Sequence, residues 1–423
     1  MSQKINVLKY YLKYKYKRFK DEDSLKEYQE KKLTRQLEYV TVHSRFYEKY
    51  KGCNIEDFPV MDKKIMMDHF DSINTVGINK EEALSFAIES EQSREFSSKL
   101  SGITIGLSSG TSHSRGIFLV EDEEKDKWAG YVLARFLPKG IFSKCTIAFF
   151  MRANSNLYEN VGRGRIRFEF FDIYKNIEEN LKRLNDLNAD IIVAQPSVLL
   201  MIAAAVKEGR LAISPEKVIS IAEVLEKRDE EYLKKVLGLD VIHQVYQCTE
   251  GCLATTCSCG RLHLNEDIVH IEKEYIDNRR FVPIITDLER TSQPIIRYRL
   301  NDILVEDKKR CECGLIFTPL IEIEGREDDV FIFAGKDGNE ISIFPDFIRR
   351  CTLFAGNITD YRIVQEKDSS IIVYADIDEA LQSKLLKEFA KLSLDHGFIL
   401  PGVRFESYTF DKGRKLKRVE RLL

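Results

Sequence analysis

The stretch IIVAQPSVLLMIAAAVK, residues 191–207, decides the fold class. Ile191-Ile192-Val193-Ala194 reads as a strand ended by Gln195-Pro196-Ser197, and an apolar helix runs on to Lys207. On its N-terminal side, Thr146 to Met151 and Phe168 to Asp172 read as strands, the second followed by a helix from Ile177 to Leu187. On its C-terminal side, Val218 to Ile221 is a strand, and Ala222-Glu223 and a charged helix to Val236 follow. Val241 to Val245 is the next strand. Strands alternating with helices predict a layered α/β body with a largely parallel sheet.

Further out the pattern changes. Residues 4–20 hold Lys4, Lys9, Lys13, Lys15, Lys17, Arg18 and Lys20 with no acid, interleaved with Tyr10, Tyr11, Tyr14, Tyr16 and Phe19. Such a helix can pack on the main body with a solvated basic face, or lie on an anionic membrane surface. Residues 24–51 and 79–96 read as helical, with a turn and a helix start at Phe58 to Asp62 between them. Glu121 to Leu137 reads as a helix with an acidic start. From Leu262 to Val305 the candidates are strands, Ile268 to Glu274, Val282 to Thr286 and Ile295 to Tyr298, which predicts a β subdomain over about 262–324. Beyond Gly325 strands and helices alternate again as a compact α+β domain. The expected architecture is therefore a large multi-layer N-terminal body (1–325) followed by a small mobile α+β domain (326–423).

The chain has 423 residues, 43% hydrophobic and 31% charged, with a net charge of -3. That balance describes a globular protein and gives no reason to expect a nucleic-acid partner. No transmembrane run and no secretory pattern stands in the sequence, so the expected location is cytoplasmic. Six of the nine cysteines fall at Cys248, Cys252, Cys257, Cys259, Cys311 and Cys313. In a cytosolic chain such clusters are more often metal ligands than disulfides.

Three segments carry chemistry. Ser108-Ser109-Gly110-Thr111-Ser112-His113-Ser114-Arg115-Gly116 lies between two short apolar runs that read as strands. Its hydroxyls, exposed N–H groups and arginine suit polyphosphate oxygens, and equally a solvated hairpin turn. It is no Walker loop, because no Lys-Ser/Thr pair and no helix follow. Tyr246-Gln247-Cys248-Thr249-Glu250-Gly251 follows a buried strand: tyrosine can stack on a purine, threonine can bond phosphate and glutamate can hold Mg²⁺. Asp302, read at the end of a strand in Tyr298-Arg299-Leu300-Asn301-Asp302, is the residue type that accepts two ribose hydroxyls.

In this order the segments resemble the adenylate-forming superfamily, in the branch of phenylacetate–CoA ligase and the CapK-type proteins, over nearly the whole chain. The resemblance implies that Ser108, Ser109, Gly110, Thr111, Ser112, Arg115 and Gly116 hold ATP phosphates. It further implies an adenine-side segment at Ala222-Glu223, an aromatic–Thr–Glu motif at Tyr246, Gln247, Thr249 and Glu250, and a ribose contact at Asp302. A hinge motif at Gly325-Arg326-Glu327-Asp328, with Asp328 the hinge, and a catalytic lysine at Lys415, with Lys417 as alternate, complete it. Two positions depart from the family: His113 and Arg414 stand where glycine is usual. The implied reaction is ATP-dependent activation of a carboxylic acid, aromatic by family weight, to an acyl-adenylate. Transfer to the thiol of coenzyme A or a carrier protein follows. An adenylyltransferase and a nucleotide-binding protein without turnover are the alternatives, and a homodimer is one assembly open to it. Arg152, Asn154 and Tyr158, in a polar loop at a strand end, are candidates for the acid pocket.

Cys257-Ser258-Cys259-Gly260 and Cys311-Glu312-Cys313-Gly314 are paired Cys-x-Cys-Gly turns. Soft thiolates in paired turns are what a structural Zn²⁺ site offers; unliganded thiols are the other reading. His263 competes with Cys259 as a ligand.

Overall fold

The computed structural model describes residues 3–93, 95, 98–108, 116–151, 165–173, 175–356, 358, 360–409 and 417–422, with the side chains of 3, 4 and 346 excepted. The chain divides into two compact units, Met1–Tyr275 with Pro283–Leu300 and Glu306–Ile321, and Ile276–Val282 with Asn301–Val305 and Glu322–Leu423.

The first unit is built on five parallel strands in the order Ile166–Asp172, Cys145–Met151, Ile191–Ala194, Lys217–Ile221, Ile242–Cys248. Ile191–Ala194 is buried along its whole length, as a strand covered on both faces must be. The helix after it, Pro196–Lys207, opens with proline at its first position, where the missing N–H costs nothing. The helix Ile177–Leu187 is capped by the Asn176 side chain on the Glu178 N–H and stops at Asn188 in the left-handed region, φ 45°. Phe150, Phe171, Leu184, Leu199, Ile202 and Leu233 fill the layer between strands and helices.

Beyond Ile242–Cys248 the sheet turns antiparallel, through Gly251–Thr256 and Leu262–Leu264. The strands from Cys145 to Cys248 are parallel throughout, as expected, and the antiparallel continuation makes the whole sheet mixed. Short connections without helices force that change, since only a crossover joins parallel neighbours. Two readings are corrected. The strand expected at Ile295 to Tyr298 shrinks to Tyr298–Arg299, because Arg297 sits at φ 46° and breaks the extended chain. Asp302 does not end a strand but opens one, Asp302–Glu306.

The first helix, Gln3–Tyr16, packs on Asp122–Phe136. Val7, Tyr10, Tyr11 and Tyr14 are buried. Tyr14 meets Tyr131 edge-on at 5.0 Å, and the Tyr10 hydroxyl donates to Glu123 at 2.8 Å. Gly130 makes this approach possible: a Cβ there would lie 2.6 Å from Tyr10 Cβ and 2.8 Å from the Tyr11 backbone nitrogen.

In the second unit the sheet order is Val403–Glu406, Ile371–Tyr374, Arg362–Gln365, Val419–Arg421, against Pro345–Gly356 and Glu379–His396. The strand Val419–Arg421 was not foreseen; it is three residues long and gains its pairing from Arg362–Gln365 alone.

Gly130→Ala should lower stability by about 1–3 kcal/mol, because the tyrosines it meets are held by backbone. Urea unfolding reads this directly, and an unchanged midpoint would mean the first helix is not docked on Gly130.

Candidate active site and metal centre

Strands Thr104–Leu107 and Ile117–Val120 pair antiparallel, with Leu107 opposite Ile117. The Ser108 N–H donates to the Gly116 carbonyl at 2.7 Å, and the Gly116 N–H donates to Ser108 Oγ at 2.8 Å. The two ends of the proposed phosphate loop are thus fixed to each other. Lys63 stands beside them, its Cε 3.4 Å from where a Gly116 Cβ would be. Sequence reading passed over this lysine, which follows the helix cap Asp62. Ser109, Gly110, Thr111, Ser112, His113 and Arg115 lie outside the described residues, as do Arg152, Asn154, Tyr158, Arg414 and Lys415.

Thr249 and Glu250 form the turn between Ile242–Cys248 and Gly251–Thr256. Tyr246 faces Ala254 but Gln247 faces Cys252, a bulge that re-aims the side chains just before the turn. The Tyr298 hydroxyl donates to the Glu250 carboxylate, and burial together with that charge pushes the phenol far above its usual range.

Arg290 joins this turn to the hairpin. Its Nη1 donates to the Thr249 carbonyl at 2.7 Å, and its Nη2 donates to the Leu119 carbonyl at 3.1 Å and to Gln293 Oε1 at 2.9 Å. Gln293 itself accepts from the Leu119 N–H at 3.0 Å and donates to the Ile117 carbonyl at 3.1 Å. The segment carrying both is seated by buried Glu124, which accepts from the Thr291 and Ser292 N–H groups at 2.5 and 2.8 Å. One guanidinium thus ties the strand Ile117–Val120 to the Thr249–Glu250 turn. Neither Arg290 nor Gln293 was singled out from sequence; the signal available was an Arg-Thr-Ser-Gln run ahead of Pro294.

Asp287 faces the same turn, with its Oδ2 3.4 Å from a Cβ built on Gly251. Burial pushes its carboxyl up to about 6, against N–H donation from Glu289 and Arg290 at 2.8 and 2.9 Å.

At the carboxyl end of Lys217–Ile221, Ala222 is held at φ 66°, a conformation costly to a residue with a Cβ. Glu223 then donates its N–H to the Ile221 carbonyl at 2.8 Å and accepts from the Ser197 N–H at 3.3 Å, at the start of Pro196–Lys207. Ligands of open α/β sheets bind at such strand ends.

In the second unit Asp302 and Arg326 approach to 3.7 Å. The Asn301 side chain donates to Asp328 at 2.9 Å, and the Glu327 N–H donates to the Asn301 carbonyl at 2.7 Å. Lys417 pairs with buried Asp329 at 2.6 Å, so this lysine is already committed to a structural partner.

The cysteine turns converge. The Sγ atoms of Cys257, Cys311 and Cys313 and a His263 nitrogen lie within 4.8 Å of one another. Cys257 and Cys311 sulfurs are 3.7 Å apart, and Cys313 Sγ is 3.6 Å from His263 Nε2. Four ligands at tetrahedral zinc would stand about 3.8 Å apart for two sulfurs and about 3.6 Å for sulfur and nitrogen. His263 Nδ1 donates to the Phe317 carbonyl at 3.0 Å, which orients the ring and leaves Nε2 as the donor. Gly260 and Gly314, at φ 80° and 76°, turn the chain after each cysteine pair. Cys259 is exposed and outside the group, so of the two contenders His263 joins it. This donor set fits a closed structural zinc.

No protein-family model matches the chain. It is 25% identical to the indoleacetate–lysine synthetase of Pseudomonas savastanoi over 310 residues, 68% of this chain and 69% of that one. Among solved structures, a 2-hydroxyisobutyryl-CoA ligase in the postadenylation state in complex with 2-HIB-AMP superposes with a TM-score of 0.69 at 15% identity. That match covers 95% of this chain and 89% of the other. The amide bond synthetase McbA from Marinactinospora thermotolerans superposes at 0.51 and 14% identity, covering 74% and 66%. The chain shares its α/β fold with these ligases.

Freshly purified protein should carry close to one zinc per chain by elemental analysis. Cys313→Ala should lose it and Cys259→Ser should keep it; equal zinc in both variants would remove the site. Asp287 gives a pH signature. Its folded value near 6 lies above the ordinary 3.8, so the folded state binds the extra proton between those limits. Its contribution is therefore greatest at low pH and is lost as pH rises through about 4 to 6. Asp287→Asn, which keeps the acceptor for both N–H groups, should lack that slope, so the stability difference between wild type and variant in urea unfolding should itself change as pH rises through about 4 to 6.

Proposed function

We propose that this chain is an adenylate-forming ligase that activates a carboxylic acid with ATP. The observation that carries the reading is the junction at Arg290, which sets a Ser/Thr/Gly loop base and a Thr–Glu turn side by side in a fold shared with such ligases. The 25% identity to an acid–amine synthetase over two thirds of the chain supports it.

In this reading a substrate carboxylate oxygen attacks the α-phosphorus of ATP, the Pα–O bond to the leaving group breaks, and pyrophosphate departs. The carboxylate is ionised at neutral pH, so no protein base is required. What the reaction needs is alignment and charge stabilisation. Ser108 to Gly116 hold the β- and γ-phosphates, with Lys63 at the loop base as an added cation. Thr249 donates its hydroxyl to phosphate, and Glu250, oriented by Tyr298, holds Mg²⁺. Tyr246, Gln247, Ala222 and Glu223 form the adenine side, and Asp302 with Arg326 takes the ribose. Lys415 neutralises charge building on the α-phosphate. The proposed domain boundary falls at 325/326, with Asp328 as the hinge about which the small domain carries Lys415 in and out.

The acceptor is a thiol, of coenzyme A or a carrier protein. An amine is the second reading, favoured by the likeness to a synthetase named for lysine. An aromatic acid is the substrate class to test first, since that relative is also named for indoleacetate.

Pyrophosphate release from ATP·Mg²⁺ over a carboxylate panel tests the activity. Lys415→Ala and Glu250→Gln should each lower the rate about 100-fold or more while ATP still binds. A wild-type rate in Lys415→Ala would reject that lysine. No release with any acid would leave a nucleotide-binding protein, and an AMP-bearing product would make the chain an adenylyltransferase. Mass analysis with thiols and amines supplied separately decides the acceptor.

A further inference from the structure

The first helix has a second face. Its inner side is committed to the body through Val7, Tyr10, Tyr11 and Tyr14. On the opposite side Ile5, Lys9, Leu12 and Tyr16 recur at i, i+4, i+7 and i+11, which is one stripe of a helix. Ile5 is 52% exposed, Leu12 39% and Tyr16 73%. Apolar and aromatic side chains on the outer face of a helix whose inner face is already buried are not explained by the core.

A loop meets the other side of the helix. Gly140 lies against the Tyr11 hydroxyl, 3.2 Å from a built Cβ, on the buried inner face. Phe142, in that loop, is 69% exposed, and Arg165 donates to its carbonyl at 3.1 Å. Lys139 and Lys144 stand on either side of it in sequence.

The charge carried by the segment itself is of one sign. Residues 4–20 carry seven lysines and arginines and no acid, in a chain whose net charge is -3. Lys13 is paired inward with Glu289 at 3.0 Å. Lys9 and Lys15 make no ion pair among the described residues; Lys9 rests over the Tyr10 ring at 5.5 Å. Glu123, which takes the Tyr10 hydroxyl, is close enough to Lys9 for the two charges to interact, so Lys9 is the cation of the stripe with an acid beside it.

We propose that the stripe Ile5–Leu12–Tyr16 seats the protein on an anionic lipid surface. Lys9 and Lys15 would meet the headgroups while the apolar side chains enter the acyl boundary. Cations alone would fit any polyanion. Exposed aliphatic and aromatic groups set in one line among them fit a bilayer interface, which offers anionic headgroups directly above hydrocarbon. Among the described residues no helix is long and apolar enough to cross a membrane, so the contact would be peripheral. It would hold the enzyme where amphiphilic acids partition; the lipid contact itself does not depend on the activity proposed above.

The test is co-sedimentation of the full chain with phosphatidylcholine vesicles, with and without phosphatidylserine. The wild type should bind the anionic vesicles, lose binding in high salt and ignore the neutral ones. Lys9→Glu with Lys15→Glu, and separately Leu12→Glu with Tyr16→Glu, should each cut the partition coefficient about tenfold or more. Lys9, Leu12 and Tyr16 are exposed and Lys15 is half-buried, and unchanged urea midpoints would show the fold is kept. No binding to phosphatidylserine vesicles at low salt would overturn the proposal, as would equal binding by the variants. A dimer in sedimentation that Leu12→Glu with Tyr16→Glu dissolves, without vesicle binding, would assign the face to a second copy and overturn it too.

Discussion

The guanidinium of Arg290 holds the candidate site together. It reaches two backbone carbonyls on separate elements, Thr249 and Leu119, and the side chain of Gln293 that grips the same hairpin strand. Carbonyls at the ends of short strands have no ladder partner, so a rigid planar donor can satisfy several at once and fix their spacing. Arg290 in turn rests on Asp287, whose carboxylate accepts its N–H, and on the segment that Glu124 secures. Glu250 is positioned at the far side of this arrangement by Tyr298.

The cluster of Cys257, His263, Cys311 and Cys313 offers the same kind of tie by another means. Three thiols and one imidazole converge on a point, and the Phe317 carbonyl sets the ring. Four protein donors would fill a tetrahedral metal's positions, as in a structural site.

Strain marks the carboxyl end of the parallel strands as well. Ala222 at φ 66° is retained at the end of a central parallel strand, where a relaxed turn would have cost less. Such conformations persist where the surroundings dictate the backbone path, and here that path delivers Glu223 to the start of Pro196–Lys207.

Much of this was legible in the sequence. The unbroken apolar run Ile191–Ala194, the proline opening the next helix and the alternation around them determine an α/β body by periodicity alone. The two Cys-x-Cys-Gly turns announce a metal centre because thiol softness and spacing are local properties. What the sequence could not supply are the facts that depend on non-local approach. Whether His263 or Cys259 completes the metal group depends on which side chain points inward. That Arg297 breaks a strand, and that Lys417 is taken by Asp329, depend on backbone and charge partners far along the chain. Arg290 reads in sequence as one more loop arginine. Its role exists because the tertiary fold brings three acceptors from separate segments within reach of a single fork, and no local pattern encodes that convergence.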